Sequence, residues 1–368
     1  MESALEEAEE VKEAKEKAGR WGVRRQGSRE AEQQERKQLS DAGSKRKNMI
    51  LAGDIGGTKS NLGLFDVASG KLVRVEHKRY PSAEHAGLDD IAEDFVRTTG
   101  AKITAAAFGI AGPVLNNRVH TTNLPWIVDG ASLAKRLGLD HVYLLNDLEA
   151  TCHGVEVMQP SDLETLYAGT PLAEATRAVI SAGTGMGQGT IFWDGKDFVP
   201  IPNEGGHADL APQTNQQADL WKFLKKTLEF VSVEIILSGR GFQHLHEFLD
   251  PAMRHASFDE NTDEAAAEIT GNALAGKCPV CAAAVDLWVE IYGSEAGNLA
   301  LRSVARGGIY VAGGIALKIL PKMTTGSFVA AAQKKEKLGE FLKLVPIHIV
   351  LNEDCPLLGA ANVAWKRG

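Results

Sequence analysis

The chain has 368 residues, too many for one compact core and enough for two domains. Hydrophobic residues make up 44% and charged residues 24%, ordinary globular usage that excludes collagen-like and largely disordered chains. A net charge of −8 argues against a general nucleic-acid binder, and the longest weakly polar run, residues 103–115, is too short to span a bilayer. Four cysteines are too few for a disulfide framework, which points to a reducing, cytoplasmic setting.

Charge is unevenly spread. Residues 1–48 hold 12 Lys/Arg and 11 Asp/Glu, so the remaining chain carries a net −9. This leader has few large apolar residues and cannot offset its own ordering entropy by burial. Leu5, Ala8, Val11 and Ala18 share a helical spacing that stops at Gly19, so a frayed helix followed by coil is expected. It fits neither a signal nor a transit peptide, and two heptads are too short for a convincing coiled coil. The plainer reading takes Met49 as the true start and the leader as an artefact of gene calling.

From Met49 the pattern changes. Residues 49–55 read as an apolar strand, 61–67 and 72–80 as two more, joined by glycine-bearing turns. A helix with Leu88, Ile91 and Phe95 on one face ends before Gly100. Residues 103–111 form the next strand, 114–121 a hairpin turning at Asn116 and Asn117, and Asp129 caps a helix carrying Leu133 and Leu137. A buried strand, 141–145, runs into Asn146 and Asp147.

The second half repeats the opening. Strands at 178–182, 189–193 and 198–201 are joined by the turns at 183–187 and at Asp194-Gly195. Helices follow at 220–228, 233–237, 241–249, 263–274 and 281–305, then a strand at 309–312, Gly313-Gly314, a further helix, and a last strand at 346–351. Two such copies imply duplicated α/β domains around a cleft; a single doubly wound sheet with long insertions is the alternative.

Two glycine loops sit at equivalent places in the copies. Gly53, Asp54, Ile55, Gly56, Gly57 and Thr58 join the first two strands, and uncovered backbone N–H groups there suit phosphate oxygens. Asp54 makes sense beside a polyphosphate only if Mg²⁺ or water lies between. The loop is neither a Walker sequence nor a dinucleotide fingerprint, because the spacing differs and a strand follows it. Thr184 and Gly185 belong to the second loop, and Gly313 with Gly314 would let a ligand approach the backbone. Each loop alone is also an ordinary tight turn.

Together these segments resemble the bacterial-type glucokinase family of the hexokinase/Hsp70/actin superfamily. The likeness spans residues 49–368 and rests on eight blocks in order: 51–58, 109–113, 122–126, 145–147, 182–187, 203–209, 231–239 and 310–315. It implies a duplicated actin-like/ribonuclease-H-like two-domain fold with a central cleft. The small domain would comprise 49–150 with 352–368, the large one 151–351. The implied reaction is ATP-dependent phosphorylation of glucose at the 6-hydroxyl with Mg²⁺. By motif, Asp147 matches the general base; Asn146, Glu204, His207 and Glu234 match sugar ligands; residues 53–58, Thr184, Gly185, Gly313 and Gly314 match the nucleotide site.

Plainer roles exist for several of these. Asn146-Asp147 could be a turn or helix cap, His207 a buried structural histidine, and Glu234 a first-turn acid beside a Ser232 cap. Lys59 is a solvated strand lysine unless it reaches phosphate. Related sugar kinases carry a cysteine-rich zinc cluster after the Glu-Gly-Gly-His block, but here Gln213 to Gln217 follow without a cysteine. The pair Cys278 and Cys281 has too few partners nearby in sequence, so no metal site is expected. Glucose and ATP are the expected partners, with no nucleic acid or membrane, and a homodimer is compatible. Another hexose, another phosphoryl donor or a non-catalytic sugar sensor are the alternatives; a sensor would not need Asp147.

Overall fold

The computed structural model describes residues 49–122, 124–259 and 262–368; the expectations for the leader and for Asn123 lie outside them. Strands β1 (Met49–Ile55), β2 (Lys59–Ala68) and β3 (Lys71–Pro81) form an antiparallel ribbon at the three strands the sequence predicts. Helix α1 (Leu88–Thr99) ends on Gly100, whose φ of 61° is the left-handed cap expected of a glycine there. β4 (Ile103–Ile110) pairs in parallel with β1. β5 (Val114–Leu115) and β6 (Arg118–His120) meet at Asn116 and Asn117, with φ of 52° and 57°, and β7 (Ile127–Asp129) completes a small sheet. Asp129 caps α2 (Gly130–Leu137) by accepting from Ser132 N at 2.9 Å. β8 (Val142–Asn146) then runs directly into α3 (Asp147–Val155), a helix announced in the sequence only by the cap reading of Asn146-Asp147.

An edge strand, β9 (Leu163–Tyr167), precedes the second ribbon: β10 (Arg177–Ala182), β11 (Met186–Trp193) and β12 (Phe198–Asn203). Helices α4 (Asn215–Leu224), α5 (Val233–Ile236), α6 (Gly239–Leu249), α7 (Thr262–Leu274) and α8 (Pro279–Ser303) follow. β13 (Gly308–Ala312), α9 (Gly314–Lys318), β14 (Ile347–Val350) and α10 (Cys355–Arg367) complete the site-bearing elements.

The larger sheets have orders β3-β2-β1-β4-β8 and β12-β11-β10-β13-β14-β9. In each, the first strand of the ribbon is antiparallel to its hairpin partner and parallel to the next strand inward. The copies therefore share one topology, β9 being an antiparallel addition to the second. Two sheets of this size exclude the single doubly wound alternative.

Alternation along β1 builds two cores. Leu51 and Ile55 face α1 and α2 through Ile91, Phe95 and Leu133, while Ile50 and Ala52 face α10 through Leu357, Ala360 and Ala364. A third core joins Leu148 and Cys152 of α3 to Val179 of β10, Ile191 of β11 and Cys355 of α10. Thus α3 lies between the sheets and touches both. It is pinned by close backbone approach: a Cβ on Gly359 would lie 1.8 Å from Ala150 O, and one on Gly154 would lie 2.1 Å from Cys355 O. Only glycine fits these two positions without moving α3 and α10 apart. Among the described residues, no helix is long and apolar enough to cross a membrane.

Candidate active site

The parallel strands β1, β4 and β8 end side by side, the place where open α/β sheets bind ligands. Asp54 is in register with Gly109, and Ile110 with Asn146. At Gly109 a Cβ would fall 2.7 Å from Ala150 Cβ, with Asp147 Cα at 4.0 Å, so glycine there lets α3 settle onto the strand ends. Asn146 is the N-cap of α3: its Oδ1 accepts from Leu148 N at 2.9 Å and Glu149 N at 3.4 Å, and its Nδ2 donates to Gly112 O at 3.1 Å. The capping role expected as the plainer reading of Asn146 is therefore present.

Asp147 opens the helix and its side chain is exposed. The protein crowded around it nevertheless raises its carboxyl above the ordinary carboxylate range, and Glu204 adds to the rise. Asp54, half-buried near the end of β1, is pushed up to about 6 by burial, with the Asn61 hydrogen bond opposing and Asp147 adding. Asn61 Nδ2 donates to Asp54 Oδ2 at 3.3 Å and is itself oriented by Arg79 Nε at 2.7 Å.

The first glycine loop is latched by Ser82. Its hydroxyl donates to Gly56 O at 2.8 Å, its N–H donates to Thr58 O at 3.0 Å, and the Ser60 hydroxyl lies 2.9 Å away. Gly56 does not adopt the left-handed conformation that its type permits; it turns back through a 3.0 Å bond from its N–H to Lys59 O. Thr58 is exposed, whereas the Ile55 side chain belongs to the core, leaving only its backbone for the site.

The second loop is held from outside. Gly239 N donates to Gly183 O at 3.0 Å, and Met186 N donates to Glu234 Oε2 at 2.8 Å. A Cβ on Gly185 would meet that same oxygen at 2.7 Å, and one on Gly206 would meet Met186 O at 2.0 Å. Residues 204–209 are then stitched to 231–234 by Val233 N donating to Ala208 O at 2.9 Å. Ser232 precedes α5 but makes no side-chain cap, so the Glu234 carboxylate serves the loop rather than sharing a capping arrangement. His207 is not the buried structural histidine of the plainer reading: its side chain is 65% exposed, 4.0 Å from a Glu234-independent partner, Glu204. Gly313, with φ of 89°, packs where a Cβ would touch Ala182 O at 2.4 Å; Gly314 faces open space, and Thr184 is exposed.

Some of the predicted residues thus come together in two groups: Asp54 and Glu204 lie within electrostatic reach of Asp147, and Glu234 and Gly206 both lie against Met186. Sequence reasoning missed the supports, Asn61, Arg79 and Ser82. Asn61 and Arg79 are cross-strand partners in the β2–β3 register, a signal available only once that pairing is known.

This duplicated fold, with a glycine loop on each copy and a carboxylate at their junction, defines a two-domain sugar kinase of the actin-like class. The family profile described as Glucokinase matches residues 51–367. A glucokinase of Nostoc punctiforme is 36% identical over 338 residues, 86% of this chain and 99% of that protein. The solved glucokinase of an Antarctic psychrotroph has a TM-score of 0.78 at 28% identity, covering 87% of this chain and 99% of its own. A ROK family glucokinase from Streptomyces griseus, solved with glucose and AMPPNP, superposes with a TM-score of 0.60 at 20% identity, covering 87% of this chain and 100% of its own. The chain belongs to the glucokinase family.

Proposed function

We propose that this protein transfers the γ-phosphoryl group of ATP to the 6-hydroxyl of D-glucose, with Asp147 as general base. The observation that carries the reading is the position of Asp147 at the start of α3, within electrostatic reach of both Asp54 and Glu204. Family membership supports the reaction, and the glucose and AMPPNP of the Streptomyces griseus structure support the substrate pair.

In this reading the sugar 6-oxygen attacks the γ-phosphorus, the bond from that phosphorus to the bridging oxygen breaks, and ADP leaves. The hydroxyl proton passes to Asp147, whose raised carboxyl affinity for protons suits it to accept. Positioning supplies most of the remaining rate. Glu204 and His207, exposed and adjacent, pair with sugar hydroxyls, and Asn146 adds its second amide hydrogen while capping α3. Glu234 has a double task, holding Met186 N with one oxygen and offering the other to sugar. Residues 53–58 and Thr184-Gly185 receive the phosphates, and Gly313-Gly314 the adenosine.

Mg²⁺ fits the donor set: Asp54 has one oxygen held by Asn61 and a carboxyl of perturbed affinity facing Asp147. Bound with the nucleotide, the ion supplies charge neutralisation to an acidic protein, and Asp54 would hold it through its water shell. Residues 49–150 with 352–368 act as the small domain and 151–351 as the large one, with α3 as the element common to their packing.

A coupled assay screening glucose, mannose, fructose and N-acetyl sugars against ATP and polyphosphate tests the reading. Glucose with ATP should give the highest kcat/KM; turnover of another hexose alone, or of none, would replace it.

A further inference from the structure

The sequence pair Cys278 and Cys281 lacked companions, and the fold supplies them. His246 on α6, His255 in the connection beyond it, and the two cysteines at the start of α8 bring one ligand atom each within 4.8 Å of all the others. We propose that these four residues form a structural zinc site, distinct from the sugar and nucleotide site.

The distances suit one ion. Zn–S bonds of about 2.3 Å and Zn–N bonds of about 2.0 Å in a tetrahedron set the donors roughly 3.3–3.8 Å apart. His255 Nε2 lies 3.2 Å from Cys281 Sγ and 3.9 Å from Cys278 Sγ. The His246 and His255 rings sit edge to face with centroids 4.9 Å apart. His246 is fully buried and, among the described residues, neither of its ring nitrogens has a hydrogen-bond partner, an arrangement that costs stability unless a further group engages one of them.

Surrounding groups are placed as a metal site requires. Glu268 Oε1 lies 3.5 Å from His255 Nδ1, so that nitrogen carries the hydrogen and Nε2 presents its lone pair to the sulfurs. Glu268 is fixed in turn by the Ser257 N–H at 3.2 Å and the Ser257 hydroxyl at 2.5 Å. Cys281 N donates to Cys278 Sγ at 3.3 Å, and Cys278 is the N-cap of a 25-residue helix. Two thiolates and two neutral imidazoles balance the charge of Zn²⁺, so the buried centre carries no net charge. Four protein ligands close the coordination shell, which makes the site structural rather than catalytic. It would clamp α6, α7 and α8 together, and α6 begins at Gly239, the residue that holds the second glycine loop.

The test uses the full chain, purified untagged in reducing buffer, with metal content read by mass spectrometry and Co²⁺ as a spectroscopic probe. About one zinc per chain is expected, together with the visible absorption of tetrahedral thiolate-bound cobalt after exchange. Cys281→Ser and His246→Ala should each lose the ion, and Glu268→Gln should weaken it about 10–100-fold. If the cysteine variant does not fold, the cobalt spectrum of the unaltered chain still decides. Three results would overturn the site: a chain that takes up neither Zn²⁺ nor Co²⁺, zinc retained in both ligand variants, or a Cys278–Cys281 disulfide in natively trapped protein.

Discussion

The two glycine loops occupy equivalent places in a duplicated fold, yet they are held in different ways. The first is secured within its own ribbon, by Ser82 and by its own Lys59 carbonyl. The second is clamped by chain that arrives much later, Glu234 from α5, Gly239 from α6 and Gly206 pressed against Met186. Duplication kept the backbone path and let the supports diverge. One loop became a local device, and the other became the point where residues 204–209 and 183–187 meet.

Substitutions that separate these supports should have unequal effects. Gly206→Ala puts a methyl 2.0 Å from Met186 O, so the sugar block must move away from the second loop. A displacement of that order should lower kcat/KM about 100-fold. By contrast, Gly56→Ala meets only Lys59 O at 3.2 Å and should leave kcat/KM within a few-fold. Steady-state kinetics on both variants checks the contrast, and equal losses would remove it.

Glu204→Ala acts on the sugar side alone. Loss of a charge-assisted hydrogen bond of about 1.5–3 kcal/mol should raise the glucose KM roughly 10–150-fold with the ATP KM little changed. An unchanged glucose KM would take Glu204 out of the sugar set.

The smallest effect concerns stability at the first loop. Asp54 has its pKa raised from 3.8 to about 6, so the folded state binds this proton more tightly than the unfolded chain. Its contribution to stability is fully present below the unfolded pKa and is lost as pH rises through about 6. Asp54→Asn should therefore raise the stability at pH 8 by about 1–3 kcal/mol and leave it unchanged near pH 4, while impairing turnover. Thermal melts across that pH range measure it; a variant equally stabilised at both ends would show that the carboxylate is not the cause.

Much of this arrangement was legible in the sequence, and the exceptions share a physical cause. The strand runs and glycine turns of β1 to β3 and β10 to β12, the Gly100 cap and the Asn116-Asn117 turn are local signals, and they predict the ribbons well. Helices α3 and α10 left no periodic signal, α3 offering only its cap at Asn146-Asp147, because they are buried nearly all round, with Ala150 to Val155 and Gly359 to Ala364 inside, so no polar face marks their period. Edge strand β9 is short and half-buried, too weakly patterned to stand out. The site residues could be named because they lie in compact blocks. Their supports could not, since Asn61 meets Arg79 only across strands, and His246 meets Cys281 only through helix packing.

The central claim is that Asp147 takes the sugar proton at the junction of the two copies. The most direct measurement pairs kcat with glucose affinity, by coupled assay and calorimetry, for Asp147→Ala against the unaltered chain. The account predicts a fall in kcat of about 10²–10⁴-fold with glucose still bound at near-normal affinity. Turnover close to that of the unaltered chain, with glucose bound equally well, would contradict it.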